Sequence, residues 1–425
     1  MNISNSEGSL AIDIQKTLKS KQYTSNRRIR DLTYLKTYTI DDNDSLEIDD
    51  AISIEHAENK SKLWIHISSP TEFIELNSKI DLYARNRAST LYMPDTTDYM
   101  YPAKLVKEVF SLEPQRTSHT LSIGVILNNK GGISEFEVTR SIIKVSYKLS
   151  YNDVDELLDY SPREEADLTE IKDLLSLSLN YRIANGAINI EEPKGKFIVR
   201  DNLIEHQVVE LSPSRRLVAE AMILFGSCMA TFCKQNNIIV PYRVQAKPTD
   251  KPKIIEDYSY DIHLINFLYK QSLSKSYISL ESKPHYSLGL KMYVHATSPI
   301  RRYIDIIVHY QVISYLTNHK CLISNDLMLT IIEQYDSRIK QQISITRNAL
   351  LSNTILWFMQ EKLNSWESLF LRWLNKSKGL ALLYIKDLEI DLVSKICNNS
   401  EIKFGTKLQL SKPTETDNVI QFVVL

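Results

Sequence analysis

Between Thr39 and Ala51 the chain reads Thr-Ile-Asp-Asp-Asn-Asp-Ser-Leu-Glu-Ile-Asp-Asp-Ala, so that Asp41, Asp42, Asp44, Glu47, Asp49 and Asp50 fall within ten residues, with no Lys or Arg among them. Such a cluster is costly to hold still. At an effective dielectric near 20, two like charges about 4 Å apart repel by roughly 4 kcal/mol, so an ordered cluster needs a cation or raised pKa values. A hard divalent cation, Mg2+ with Mn2+ as a substitute, takes oxygen ligands of this kind. The plain alternative is a solvated acidic loop. A calcium loop of the EF-hand type fails, because counting from Asp41 puts Leu46 where its Gly belongs and Ile52 at its bidentate Glu.

A second stretch, His295-Ala296-Thr297-Ser298-Pro299-Ile300-Arg301-Arg302-Tyr303-Ile304-Asp305, carries the complementary charge. Ser298 as cap and Pro299 at the first position predict a helix that opens with two arginines and continues through the buried run Ile306-Ile307-Val308. Free N–H groups at a helix start, together with a planar guanidinium, match a phosphate. The plain alternative is a capped helix with an Arg301 to Asp305 pair at i, i+4. An acidic metal site and an Arg-bearing turn, taken together, are what phosphodiester hydrolysis demands: metal activates water, and Arg stabilises charge on the transition-state oxygens.

These residues need a scaffold. Runs rich in β-branched and apolar residues predict strands over 37–40, 51–55, 63–67, 121–127 and 136–143, with helix near 71–87, an α+β pattern in which the acidic segment connects two strands. Helical periodicity follows over 153–158 and 168–184, and Ser212-Pro213 opens a helix that runs to Cys233. The segment 238–244 reads as strand-like, and the helices of 249–284 are not placed. The turns Tyr92-Met93-Pro94 and Tyr99-Met100-Tyr101-Pro102 offer faces for base stacking, or equally an aromatic core under a Pro-rich loop.

The 425 residues are 43% hydrophobic and 24% charged, enough for a large core in two or three domains. The balance of 51 basic and 52 acidic residues excludes a generally polycationic coat, so any nucleic acid must be held by local patches and metal. Arg27, Arg28 and Arg30 form one such patch. The four cysteines, Cys228, Cys233, Cys321 and Cys397, make no CxxC pair and read as buried free thiols in a reducing compartment. The apolar run 217–233 contains Glu220 and is short for a bilayer, so no membrane partner is expected. The first ten residues lack a signal or transit pattern, so a cytoplasmic or organellar-stroma setting is expected.

The two charged stretches resemble the signatures of the RNase II / RNase R (RNB) family of exoribonucleases. The family's acidic pattern falls on Asp41, Glu47, Asp49, Asp50 and Ala51, and its basic pattern, His-x-Thr-Ser-Pro-Ile-Arg-Arg-Tyr-x-Asp, on His295 to Asp305. Further matches in family order are 63–67, 92–94, 100–102, Ser111-Leu112, 149–151, Glu220-Ala221-Met222 and Tyr242-Arg243, so that the likeness covers roughly residues 27 to 350.

The resemblance implies processive, Mg2+-dependent hydrolysis of single-stranded RNA from its 3′ end, releasing nucleoside 5′-monophosphates, by a chain expected to act as a monomer. It makes Asp41, Glu47, Asp49 and Asp50 the metal-binding acids, Asp49 and Arg301 the catalytic pair, Tyr92 half of an aromatic clamp on the last bases, and Arg302, Tyr242 and Arg243 RNA contacts. It also implies a mixed sheet packed with helices over 31–372, a short OB-like RNA-binding barrel over 373–425 and, in residues 1–30, a polar segment too small for the family's cold-shock barrels. Weaker RNA capture and steep salt dependence are expected of so reduced a set of anchors. Three departures stand out: Glu47 where the family has Asp, Ser68-Ser69 where it has Ala-Asp, and Gly226 where it has Asn. The competing reading is a catalytically silent RNB domain that binds RNA or serves as a scaffold. Filled acidic positions and Arg301 favour the enzyme, and a DNA nuclease has little support because sugar selection rests on 2′-OH contacts.

Overall fold

The computed structural model describes residues 13–14, 29–57, 60–201, 203–249, 261–397, 402–416 and 419–424. Arg27, Arg28 and nearly all of the expected 1–30 segment lie outside them.

The expected strands pair into a seven-stranded sheet among the described residues, in the order Arg30–Asp31, Ile133–Lys144, Thr117–Leu127, Lys60–Ser68, Asp50–Ala57, Thr37–Asp41 and Tyr147–Ser150. Period-2 alternation explains its faces. Ile52, Ile54, Leu63, Ile65, Ile67, Leu121, Ile123 and Val125 point to one side and pack under the helices Ala166–Ala184 and Pro213–Gln235, while Ala51, Trp64 and Ile143 fill a smaller cluster on the other. The expected helix over 71–87 is divided: a single 3-10 turn, Pro70–Glu72, and a helix, Lys79–Arg87, capped by the Ser78 hydroxyl.

Ser212 caps the helix Pro213–Gln235 as its sequence predicts, its hydroxyl accepting from Arg215 N–H at 3.4 Å. That helix is long and apolar enough to cross a membrane, but 61% of its most apolar stretch is buried, and its apolar side is committed to the sheet. Glu220 within it is 3% exposed and paired with Arg182. Gly226 has a packing reason. A Cβ there would lie 2.3 Å from Tyr293 Cε2 and 2.6 Å from the Val294 carbonyl, so a side chain is excluded where the chain leading to His295 crosses the helix. Ser68, another departure, is buried and donates to the Phe110 carbonyl at 2.6 Å. Cys228 and Cys233 are buried free thiols, but Cys321, expected to be buried, is exposed.

At the far end the helix Asn325–Gln360 leads into a six-stranded sheet of order Lys407–Ser411, Ser365–Asn375, Leu380–Ile385, Ile390–Cys397, Val419–Val423, Thr414–Thr416. An antiparallel bridge between Leu410 and Val424 curls the sheet towards closure, in keeping with an OB-like half-barrel. This sheet begins at Ser365, ahead of the expected boundary at 373. Its core draws on distant sequence: Phe197 and Ile204 of the hairpin Lys194–Arg200 / Leu203–Val209 pack with Trp357, Phe358 and Trp366.

Candidate active site

The strand Thr37–Asp41 ends at the first acid, and the next strand starts at Asp50. The connection between them is tied down by backbone donors: Ser45 N–H to the Asp42 carbonyl at 3.0 Å, Leu112 N–H to the Ile48 carbonyl at 3.0 Å and Ser68 N–H to the Asp49 carbonyl at 2.7 Å. The Ser111 side chain adds a fourth tie, donating to the Leu46 carbonyl and accepting from Ile48 N–H. A backbone fixed this way brings Asp41, Glu47, Asp49 and Asp50 to one cavity of about 540 Å³, whose wall also holds Tyr92, Tyr151, Arg301 and Arg302.

The basic stretch reaches the same cavity from 251 residues away. Ile300 N–H donates to Asp49 Oδ1 at 2.8 Å, and Arg301 Nε lies 3.4 Å from Asp49 Oδ2. The helix expected from Ser298 starts later, at Tyr303, with Arg302 as its cap residue. Arg302 explains the delay: it is extended (φ −135°, ψ 119°) and bridged to Ser89, so that Tyr303 N–H leaves the turn for the Ala88 carbonyl. Asp305 Oδ2 accepts from Ser298 N–H at 2.8 Å and Asp49 Oδ1 from Ile300 N–H, donors that a first helical turn leaves free and that here serve the protein's own acids. Asp305 pairs with Arg302 at 2.8 Å and not with Arg301, which leaves Arg301 free to face Asp49. The turn is also paired to the segment before Tyr92: Thr90 N–H donates to the Arg301 carbonyl at 3.0 Å and Tyr303 N–H to the Ala88 carbonyl at 2.8 Å.

Asp49 is only 3% exposed, and its Oδ2 accepts no hydrogen bond. Burial raises the pKa of Asp49 well above the usual carboxylate range, against the pull of Arg301, and pushes Asp50 up to about 7, with Asp41 repelling it in the same direction. Burial raises Asp41 as well. An orphaned buried carboxylate oxygen beside two further desolvated acids is a hard, all-oxygen donor set suited to Mg2+ or Mn2+. Among the described residues no group of three such side chains already stands in ligand geometry. One reason is Glu47. Its Oε1 accepts from the Thr90 hydroxyl at 2.6 Å and its Oε2 from the Tyr92 hydroxyl at 2.5 Å, so the fourth expected metal-binding acid is turned towards the aromatic wall.

The remaining expected contacts divide. Tyr92 is half-exposed on the cavity wall. Arg302 is on the wall too, but its Nη2 is committed to Thr297, Ser298 and Asp305. Arg243 lies within electrostatic reach of Arg302 and Tyr293, and burial lowers its pKa. Tyr242 is the correction: at 3% exposure it belongs to the core and to a separate cavity beside Cys233, because strand alternation turns it inward where Arg243 turns out. Sequence reasoning missed Thr90 and Arg215, which pairs at 2.6 Å with Asp42 of the acidic run and sets its guanidinium 3.9 Å above the Tyr151 ring. The signal for Arg215 was present. It stands in the first turn of a helix with an evident cap, the same logic that singled out Arg301.

The RNB domain family model matches residues 29–318, and the chain belongs to the RNB family. It is 35% identical over 368 residues to an uncharacterized ribonuclease of Synechocystis sp., covering 85% of this chain and 55% of that protein. It is 32% identical over 391 residues to the chloroplastic/mitochondrial Ribonuclease II of Arabidopsis thaliana, covering 87% of this chain and 46% of that protein. The chain thus spans about half the length of the curated relatives it matches. Among solved structures, Mycoplasma genitalium RNase R in complex with ribose methylated single-stranded RNA shares the fold, with a TM-score of 0.83 at 19% identity over 98% of this chain and 75% of that one. Yeast Ssd1, a pseudonuclease, also shares it, with a TM-score of 0.66 at 18% identity over 86% of this chain and 50% of that one.

Proposed function

We propose that this chain is a 3′-to-5′ exoribonuclease that hydrolyses single-stranded RNA processively, with Mg2+, to nucleoside 5′-monophosphates, acting as a monomer in a plastid or cytoplasmic setting. The observation that carries the reading is the meeting of Asp49 and Arg301 at 3.4 Å in an acid-lined cavity. The ribonuclease names of the relatives support the same activity, and the plastid or mitochondrial and cyanobacterial homes of two of them support the setting.

In this reading Asp41, Asp49 and Asp50 hold the cation, which when bound lowers the pKa of a water and screens the phosphate. Asp49, fixed by the Ile300 N–H, keeps its second oxygen directed into the cavity, while Arg301 faces the scissile phosphate and stabilises charge gathering on its oxygens. Tyr92 stacks a terminal base, worth about 1–3 kcal/mol. The 42% exposure of the Arg301 side chain leaves it open to an incoming phosphate. Digestion of end-labelled single-stranded RNA in Mg2+ or EDTA, comparing the native chain with Asp49→Asn, tests the proposal. Metal-dependent mononucleotide release that vanishes in the variant supports it. Binding without cleavage makes the chain a silent relative, as Ssd1 is named.

A further inference from the structure

Glu47 stands where the acidic pattern has room for a metal ligand, yet its carboxylate is spent elsewhere. Both oxygens receive hydroxyl protons, one from Thr90 and one from Tyr92, and the residue is 5% exposed. Thr90 is no passive partner. Its hydroxyl oxygen accepts from Met100 N–H at 2.9 Å, and its backbone N–H binds the carbonyl of Arg301. The same few residues therefore tie the aromatic wall, through one carboxylate, to the arginine that faces Asp49. Leu91–Tyr92 pairs antiparallel with Thr97–Asp98, and this short hairpin is fastened at its turn too, where Val199 N–H donates to the Pro94 carbonyl at 2.8 Å. What remains adjustable is the ring of Tyr92, and Glu47 holds its hydroxyl.

We infer that Glu47 is a positioning residue for Tyr92: it fixes the ring at a set distance from Asp49 and Arg301, and so sets how many nucleotides lie between the clamped base and the bond that is cut. The inference rests on the ribonuclease reading of the same cavity and specifies it. The choice of Glu follows from reach. An Asp at 47 would bring its carboxylate short of the tyrosine by roughly one C–C bond, ~1.5 Å, enough to break a hydrogen bond of 2.5 Å. A carboxylate has lone pairs to accept both hydroxyl protons at once, whereas an amide has a single accepting oxygen and loses one of them. Two charge-assisted bonds onto one buried group define the angle of the ring more tightly than packing of a half-exposed side chain does.

The test separates stacking from catalysis. An RNA carrying 2-aminopurine at its 3′-terminal nucleotide is bound in EDTA to the native chain, Tyr92→Phe, Glu47→Gln and Glu47→Asp. Tyr92→Phe keeps the ring and removes only the hydroxyl, so it guards against a Glu47 variant that folds poorly. The native chain should quench the fluorophore. All three variants should recover about half of the fluorescence or more and bind RNA up to about tenfold more weakly, with Glu47→Gln/Tyr92→Phe no worse than either single change. In Mg2+ the shortest remaining product should lengthen and become heterogeneous in each variant. Quenching and product length unchanged in Tyr92→Phe and Glu47→Gln would overturn the inference. So would a tenfold loss of Mg2+ affinity in Glu47→Gln with stacking intact, which would make Glu47 a ligand. A native chain that quenches but does not cut removes the nuclease reading and leaves the positioning role standing. A native chain that cuts without quenching does the reverse.

Discussion

Asp49 and Trp366 are both all but sealed from solvent, at 3% and 1% exposure, and their surroundings could hardly differ more. Asp49 keeps one oxygen without a hydrogen bond among neighbouring acids, its ion-pair partner among the described residues being the Arg301 guanidinium at 3.4 Å. Trp366 meets Phe358 edge-on at 4.8 Å in a cluster built from the long helix, the distant hairpin and the curled sheet. In the first region polar partners fix the geometry and burial works against the charges; in the second, burial is itself the stabilising term. The lesson is that the cavity holds desolvated charge which a bound cation would relieve, while around Trp366 the buried polar atom without a hydrogen bond, its Nε1, is neutral and apolar contact outweighs its cost. Regions that differ so should respond to substitution with opposite signs.

The largest contrast is expected at Asp49. Asp49→Asn keeps an oxygen for the Ile300 N–H but removes the charge, so RNA cleavage should fall by about 10³-fold or more. Its melting temperature in EDTA should stay level or rise, because a desolvated carboxylate is gone. A melting temperature lowered as far as a core truncation lowers it would erase the contrast. Trp366→Ala should do the reverse, costing about 3–5 kcal/mol of stability by denaturant unfolding. Cleavage of already bound RNA should remain within about threefold of native below the transition, since the tie between the two regions runs through the hairpin over 194–209, whose Val199 N–H holds the Pro94 carbonyl, and not through the acids or Arg301. A large loss of chemistry there would mean that the sheet reaches into the cavity.

Gly226→Ala sits between the two regimes. The added methyl meets the Tyr293 ring and the Val294 carbonyl at distances no real Cβ tolerates, so overpacking should cost about 1–3 kcal/mol. Tyr293 also lines the acid-lined cavity, so this core change should carry a modest loss of cleavage that Trp366→Ala lacks. Equal cleavage in the two variants at matched folded fraction would show that the crossing at Gly226 does not position the site.

How much of this was legible in the sequence follows the same division. Acids at 41, 49 and 50 and the arginine at 301 were readable because their types and spacing carry the chemistry, and the sheet was readable because its strands alternate. The start of the second helix was not. Ser298-Pro299 obeys every local rule for a cap, but Arg302 is drawn into an extended bridge with Ser89 and the Tyr303 N–H into a bond with the Ala88 carbonyl, and partners so far away in the chain have no trace in a local window. At Glu47 the position in the pattern says metal, while partners at 90 and 92 that no local window shows hold the carboxylate towards the aromatic wall. Tyr242 is turned to the core by a single step of strand alternation. The hairpin over 194–209 went unread because Gly195 and scattered charges blur its pattern. Gly195 is required there by the close approach of the Leu388 carbonyl, a contact only the fold reveals.

The smallest predicted effect is the most direct probe of stored strain. Asp50 has its pKa raised by burial, then by Asp41, from the ordinary 3.8 to about 7. For an acid shifted upward, the native chain keeps between pH 4 and 7 a proton that the unfolded chain has released, so stability falls as pH rises through that window and levels off above 7. A bound cation reverses the sign, because it requires the ionised form and must displace the proton below pH 7. Mg2+ affinity should therefore climb by about tenfold per pH unit up to 7 and flatten beyond it. Thermal melts at pH 5.5 and 8 give the check: in EDTA the melting temperature should be higher at the acid end, and the upward shift on adding Mg2+ should be larger at pH 8. Asp50→Asn should flatten the pH dependence of both curves, while Trp366→Ala should lower both without changing their slopes. An Mg2+ shift equal at the two pH values would mean that the acids are already ionised without metal, and that the cavity stores none of the charge tension set against the uncharged core around Trp366.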